Sequence, residues 1–268
     1  MGLVLNVLTD EVKKIYALPP VLWTDDVLTE NDKEILKKEA EADQFDKLKL
    51  KSTTHNDFLN GKAHTIIKKM ENARVVILTE EEIFPWDMWG RIFQWLGPPK
   101  SGVWQIYIYA NPTKRVLPSH GPIGPEHLNG GYTYPCNNDS IIIYRYEEST
   151  RVLIHELLHA ACTDDHSKHV VDKEAATEAW TELFLVALLS KGDRMMANKL
   201  WKIQDHYIQD VNYTVSTFHN VDANAYGSRY TTLREGVFAS FGVILDPKYT
   251  PKRSTISRFT SPELDKYL

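Results

Sequence analysis

The chain has 268 residues, 43% of them hydrophobic and 11% aromatic, enough for a substantial buried core in one large domain or two small lobes. Its net charge is −5, from 31 basic and 36 acidic side chains, with no basic block, which argues against nucleic acid as a partner. Only Cys136 and Cys162 are cysteines. That is no disulfide framework and fits a reducing compartment.

In chain order, Met1-Gly-Leu-Val-Leu-Asn-Val-Leu8 reaches Asp10 too soon for a signal peptide, and no apolar run approaches membrane-spanning length. Gly2 invites a myristoylation reading, but Asn6 stands where Ser or Thr is needed. These features predict a cytoplasmic or intracellular protein, with a virion as a further location. Amphipathic helices are expected over roughly Glu30–Lys47 and His55–Glu71, then a buried strand over Ala73–Thr79 and a helix over Trp86–Leu96. Val103–Tyr109 alternates like a strand, and Asn111–Pro125 is a Pro/Gly-rich loop. From Thr150 to Ile244 the pattern is mostly helical, interrupted around Val211–Arg229, and Asp246–Leu268 reads as an extended or disordered arm. The expected division is a helical segment 1–72, an α/β lobe 73–165, a helical lobe 166–245 and a tail 246–268.

The chemistry concentrates in Val152-Leu-Ile-His-Glu-Leu-Leu-His-Ala-Ala161. His155 and His159 are four residues apart, so on a helix they share one face and can hold one Zn²⁺. Glu156, beside the first histidine, is placed to take a proton from a metal-bound water. No fold requires this arrangement; hydrolysis by a zinc-activated water does. The bland alternative is a core helix with two satisfied histidines.

A hydrolytic zinc site needs a third protein ligand and an open position. Eighteen residues lie between His159 and Glu178, which suits a turn through Asp164-Asp165-His166-Ser167 and a return on a second helix. Glu174, Glu178 and Glu182 would share one face of that helix. They could form a solvated stripe, but the adjoining run Leu183-Phe-Leu-Val-Ala-Leu-Leu189 indicates a buried helix.

His155, Glu156, His159 and Glu178 together resemble the gluzincin pattern of thermolysin-like and aminopeptidase-N-like zinc peptidases. The resemblance covers residues 103–190. It implies a zincin-like α+β fold, in which a small mixed sheet packs on the active-site helix and a mainly helical lobe follows. It also implies one zinc per chain, held by His155, His159 and Glu178, with Glu174 as the alternative ligand. Glu182 would orient His155 by holding its far ring nitrogen. The Gly-x-Met-x-Asn segment of aminopeptidases is absent.

Thermolysin-like enzymes also present an edge strand to the substrate. Here Asn129-Gly-Gly-Tyr-Thr-Tyr134, a turn over Pro135–Ser140 and Ile141-Ile-Ile-Tyr-Arg145 form the matching hairpin, and Gly130 and Gly131 would let a peptide approach closely. His127-Leu-Asn-Gly-Gly131, Tyr144-Arg145 and Arg234-Glu-Gly-Val-Phe238 are similar to segments of uncharacterised zincin-like proteins of large DNA viruses.

Two other metal schemes compete. In a metzincin-like one, Asp165 is the third ligand, but Cys162 stands where a turn-making glycine belongs. In a closed structural site, His155, His159, Cys162 and His166 would line one face. Under the peptidase reading, Glu156 is the general base and the oxyanion needs a donor from the helical lobe. Tyr230, expected to start a helix, is the first choice over His219 and Tyr226, with Arg234 nearby. The substrate is then a peptide or protein. The rival classes are a zincin-fold structural or binding protein with a vestigial site, or an enzyme acting on a non-peptide bond.

Overall fold

A computed structural model describes residues 2–42, 45–165, 167–219 and 226–268. In chain order the elements are α1 (Leu3–Ala17), β1 (Thr24–Asp25), α2 (Glu30–Glu41), α3 (Leu50–Leu59), β2 (His64–Lys69), β3 (Ala73–Thr79), α4 (Trp86–Leu96) and β4 (Trp104–Tyr109). There follow α5 (Pro125–Leu128), β5 (Gly131–Tyr132), β6 (Ile141–Ile143), α6 (Ser149–Ala160), α7 (Val170–Leu189), α8 (Arg194–Phe218), α9 (Tyr226–Tyr230) and α10 (Thr232–Ser240). A 3-10 helix over Pro262–Tyr267 comes last. The class is α+β, as expected.

The chain forms two compact units, each assembled from separate segments. A sheet unit comprises Pro20–Lys114 and Asn129–Thr163; a helical unit comprises Met1–Pro19, Arg115–Leu128 and Asp164–Leu268. The sorting is not linear. Residues 1–72, expected as one segment, divide between the two units, and the proline-rich loop splits at Arg115.

In the sheet unit the strand order is β1-β2-β3-β4-β6-β5. The β3/β4 and β4/β6 pairs are parallel, while β1/β2, β2/β3 and β5/β6 are antiparallel. The sheet is therefore mixed, and β5 is an antiparallel edge. Val75, Val76, Ile77 and Leu78 of β3 are all fully buried, the continuous apolar pattern of a strand covered on both faces. On one face, Val76, Leu78, Tyr107, Tyr109 and Ile142 form a core with Leu36, Ala40 and Leu50 of α2 and α3. Tyr132 joins that side, and its hydroxyl accepts a 2.7 Å bond from Lys51 Nζ and donates to Glu39.

Helix α2 starts where expected because Thr29 and Asp32 form a reciprocal capping box. It stops at Glu41, short of Lys47. Of the second expected helix only His55–Leu59 is helical, within an α3 that already starts at Leu50. It ends at Leu59, because Gly61 turns the chain at φ 74°, and the β-branched His64-Thr-Ile-Ile-Lys-Lys69 stretch pairs with β3 instead.

In the helical unit, α7 packs against α1, α8, α9 and α10, and Leu183 through Leu189 are all buried. Helix α8 runs unbroken to Phe218, where an interruption near Val211 was expected. Val211 and Val215, one turn apart, are buried with Phe259, Ile123 and Leu128, and that packing overrides their weak helix propensity. The end of the chain is no loose arm. Ser257 through Ser261 are buried, with Ser257 Oγ donating to His127 O at 2.7 Å.

Candidate metal centre

Helix α6 begins at a left-handed Glu148, φ 60°, whose carbonyl receives Val152 N at 2.9 Å. Trp89 Nε1 on α4 donates to Thr150 Oγ1 at 2.9 Å, and α6 packs over β5 and β6. All twelve residues of the helix are buried, His155, Glu156 and His159 included. The i, i+4 spacing does what it predicts. The two Nε2 atoms lie 3.1 Å apart, with ring centroids at 4.7 Å and planes at 76°. Two nitrogens bound tetrahedrally at 2.0–2.1 Å from one zinc ion sit about 3.3 Å apart. The pair therefore fits a shared ion with little movement, and Zn²⁺ suits its nitrogen donors.

Glu156 points toward the edge strand. A Cβ placed on Gly131 would lie 3.3 Å from Glu156 Oε1, 2.6 Å from Val152 Cγ1 and 2.7 Å from Ile142 O. The expected hairpin is present, and Gly130 is buried, its carbonyl accepting Tyr144 N at 2.7 Å. Gly131, however, has a packing duty that the peptide-approach reading overlooked: the absence of a side chain lets α6 lie against β5. A valine at 131 would meet these same atoms and cannot leave the fold intact. Gly131→Ala should already destabilise the sheet unit by about 1–3 kcal/mol, the usual cost of overpacking. Val152→Ala in the same chain should return part of that loss. Chemical unfolding of the three proteins measures it, and an unchanged midpoint for Gly131→Ala would refute the close contact.

The end of α6 was misread. Cys162 takes a left-handed φ of 61°, with Cys162 N donating to His159 O at 3.1 Å and Thr163 N to Leu158 O at 3.2 Å. This is a Schellman turn with cysteine in the glycine position. The steric objection to the metzincin-like scheme therefore falls. Asp165, however, is exposed, and Oδ1 accepts from Ser167 N at 3.0 Å and Ser167 Oγ at 2.6 Å. Those Ser167 bonds, more than the nearby lysines, hold its carboxyl below the usual range. Cys162 is no ligand, because it is bonded to Cys136. The two cysteines pair with each other although the sequence offers no disulfide framework, and that pairing is a weak hint of a non-reducing compartment. His166 lies outside the described residues.

In the helical unit, α7 carries Glu174 half-buried, Glu178 2% exposed and Glu182 fully buried, so the latter two are no solvated stripe. Glu182 Oε1 accepts from Arg234 Nη1 at 3.1 Å and Oε2 from Gln204 Nε2 at 2.7 Å. Gln204 also donates to Phe259 O at 2.7 Å and accepts from Ser261 N at 2.9 Å. The Arg234–Glu182 pairing and the Cys136–Cys162 bond both join residues far apart in the sequence, where spacing gives no signal. Tyr230 ends α9 rather than starting a helix, and its hydroxyl donates to Tyr226 at 3.3 Å. His219 is buried, with Nδ1 3.1 Å from Gly121 O.

No described helix is long and apolar enough to cross a membrane. Comparisons of the chain with protein-family models, curated proteins and solved structures found no match.

Proposed function

We propose that the chain is a zinc-dependent metallopeptidase with a zincin-like fold of the gluzincin type. One observation carries this reading: two buried imidazoles converge to 3.1 Å on a helix that also bears Glu156. The antiparallel edge strand β5, with Gly131 against Glu156, supports it, because peptidases commonly bind an extended substrate by adding it to a sheet edge.

In this reading His155 and His159 hold the ion through Nε2. Glu178 of α7 is the third ligand, and Glu174, one turn earlier, is the alternative. A zinc ion so held would supply a water acidified toward neutral pH and a Lewis acid for a carbonyl oxygen. Glu156 would be the group that takes up a proton at its carboxylate and hands it to the leaving amine. Glu182 steadies His155, Tyr230 donates to the oxyanion, and the backbone at Gly130 and Gly131 aligns the peptide.

Elemental analysis of protein purified without added metal should find close to one zinc per chain. Glu178→Ala should release it, while Glu174→Ala and Asp165→Ala should retain it. Retention by Glu178→Ala with loss by Glu174→Ala would move the ligand one turn. Absence of zinc, with no uptake on titration, would remove the enzyme reading. Zinc bound without cleavage in a peptide library would favour a structural role or another substrate.

A further inference from the structure

The disulfide joins the end of the helix that carries His155 and His159 to the segment after the edge strand. Cys136 follows the edge strand β5, and Cys162 ends α6; their Cα atoms are 4.6 Å apart across 26 residues of sequence. Both bridging residues donate their amides to one acceptor, the carbonyl oxygen of His159, at 3.0 Å from Cys136 and 3.1 Å from Cys162. Both also hold a left-handed backbone, φ 63° and 61°. Non-glycine residues hold that conformation only where the surroundings impose it. Here the bridge fixes the two residues to each other, and through them it fixes the residue that supplies one of the two converging nitrogens. Cys136 is exposed and Cys162 half-exposed, so a small thiol can reach the bond.

We propose that the Cys136–Cys162 disulfide is a thiol-responsive tie on the metal helix, and that its reduction loosens His159 and weakens metal binding. The proposal rests on the zinc reading above. Reduction consumes two low-molecular-weight thiols. A thiolate attacks Cys136 Sγ, the Sγ–Sγ bond breaks, and Cys162 leaves as a thiolate that takes up a proton. The second thiol then displaces Cys136 from the mixed disulfide, giving a free Cys136 thiol and the oxidised small-molecule disulfide. Two electrons pass from the thiols to the protein. With the tie gone, Cys136 and Cys162 can relax out of the left-handed region and withdraw both donors from His159 O. The last turn of α6 then frays.

The test compares three proteins: aerobically purified wild type, wild type reduced and freed of reductant under anaerobic conditions, and Cys136→Ser/Cys162→Ser, which needs no reductant. Zinc affinity is read by competition with a chromogenic chelator, and helix-end order by hydrogen exchange of the amides at 160–163. The oxidised protein should bind zinc at least about tenfold more tightly than the other two, the range seen when a ligand's supporting contacts are lost. Its 160–163 amides should exchange more slowly. If the double variant does not fold, the reduced wild type gives the same comparison. Equal zinc affinity in all forms overturns this proposal and leaves the peptidase reading standing. No zinc uptake by any form overturns both. Free thiols at both positions in the aerobic protein, found by mass mapping without reduction, overturn the tie at the outset.

Discussion

Glu156→Gln should lose at least about a hundredfold in peptide turnover, within the range that a positioned proton acceptor supplies, while its zinc content stays near one equivalent. Glutamine keeps the shape of the side chain, which matters because Glu156 Oε1 lies against Gly131, where even a Cβ has little room. The packing of α6 on β5 should therefore survive, and thermal unfolding should match the parent. The variant separates the function classes, since a purely structural site has no use for a base. Turnover equal to the parent would remove Glu156 from the mechanism. Loss of zinc together with turnover would show that the side chain holds the site rather than moving a proton.

What the sequence discloses tracks how local each interaction is. The span of β3 is legible because Ala73-Arg-Val-Val-Ile-Leu-Thr79 is a short apolar run between turn signals, and it has one stable fate, a strand covered on both faces. The convergence of His155 and His159 is legible for the same reason, being fixed by helical geometry within one turn. By contrast, β2 is disguised by lysines at spacings that also suit a helix, and only its pairing with β3 decides the matter. Helix α8 continues past Val211 because Val211 and Val215 meet Phe259, more than forty residues further along. Local propensity cannot report that meeting.

The same distinction divides the candidate site. That a turn follows the histidine helix is a local matter; that Cys162 takes the left-handed position in it and pairs with Cys136 depends on how the β5–β6 hairpin lies along α6. Gly131 was rightly singled out as a place of close approach. The approaching group is this chain's own Val152, which periodicity in either segment does not name.

The second large effect concerns the interior of the helical unit. Arg234 and Glu182 are both fully buried, with Nη1 and Oε1 3.1 Å apart. Desolvating two such groups is costly, and their mutual attraction, with the Gln204 bond to the second carboxylate oxygen, offsets it. Removing one partner takes a buried counter-ion from the other, so Arg234→Ala should destabilise this unit by about 3–5 kcal/mol. The loss should spread to the chain end, because Gln204 also holds Phe259 and Ser261, and the Arg234 guanidinium lies 5.8 Å from the Phe259 ring centre. Arg234→Met combined with Glu182→Gln removes both charges, keeps much of the volume and leaves an amide that Gln204 can still bond. Most of the stability should return. Two compact units need not unfold together, so the measurement is denaturant unfolding followed by hydrogen exchange resolved to α7, α10 and residues 257–261. A loss below about 1 kcal/mol for Arg234→Ala, the level of an exposed pair, would refute a buried ion pair. A double variant no more stable than Arg234→Ala would assign the loss to packing around Phe259 instead of charge.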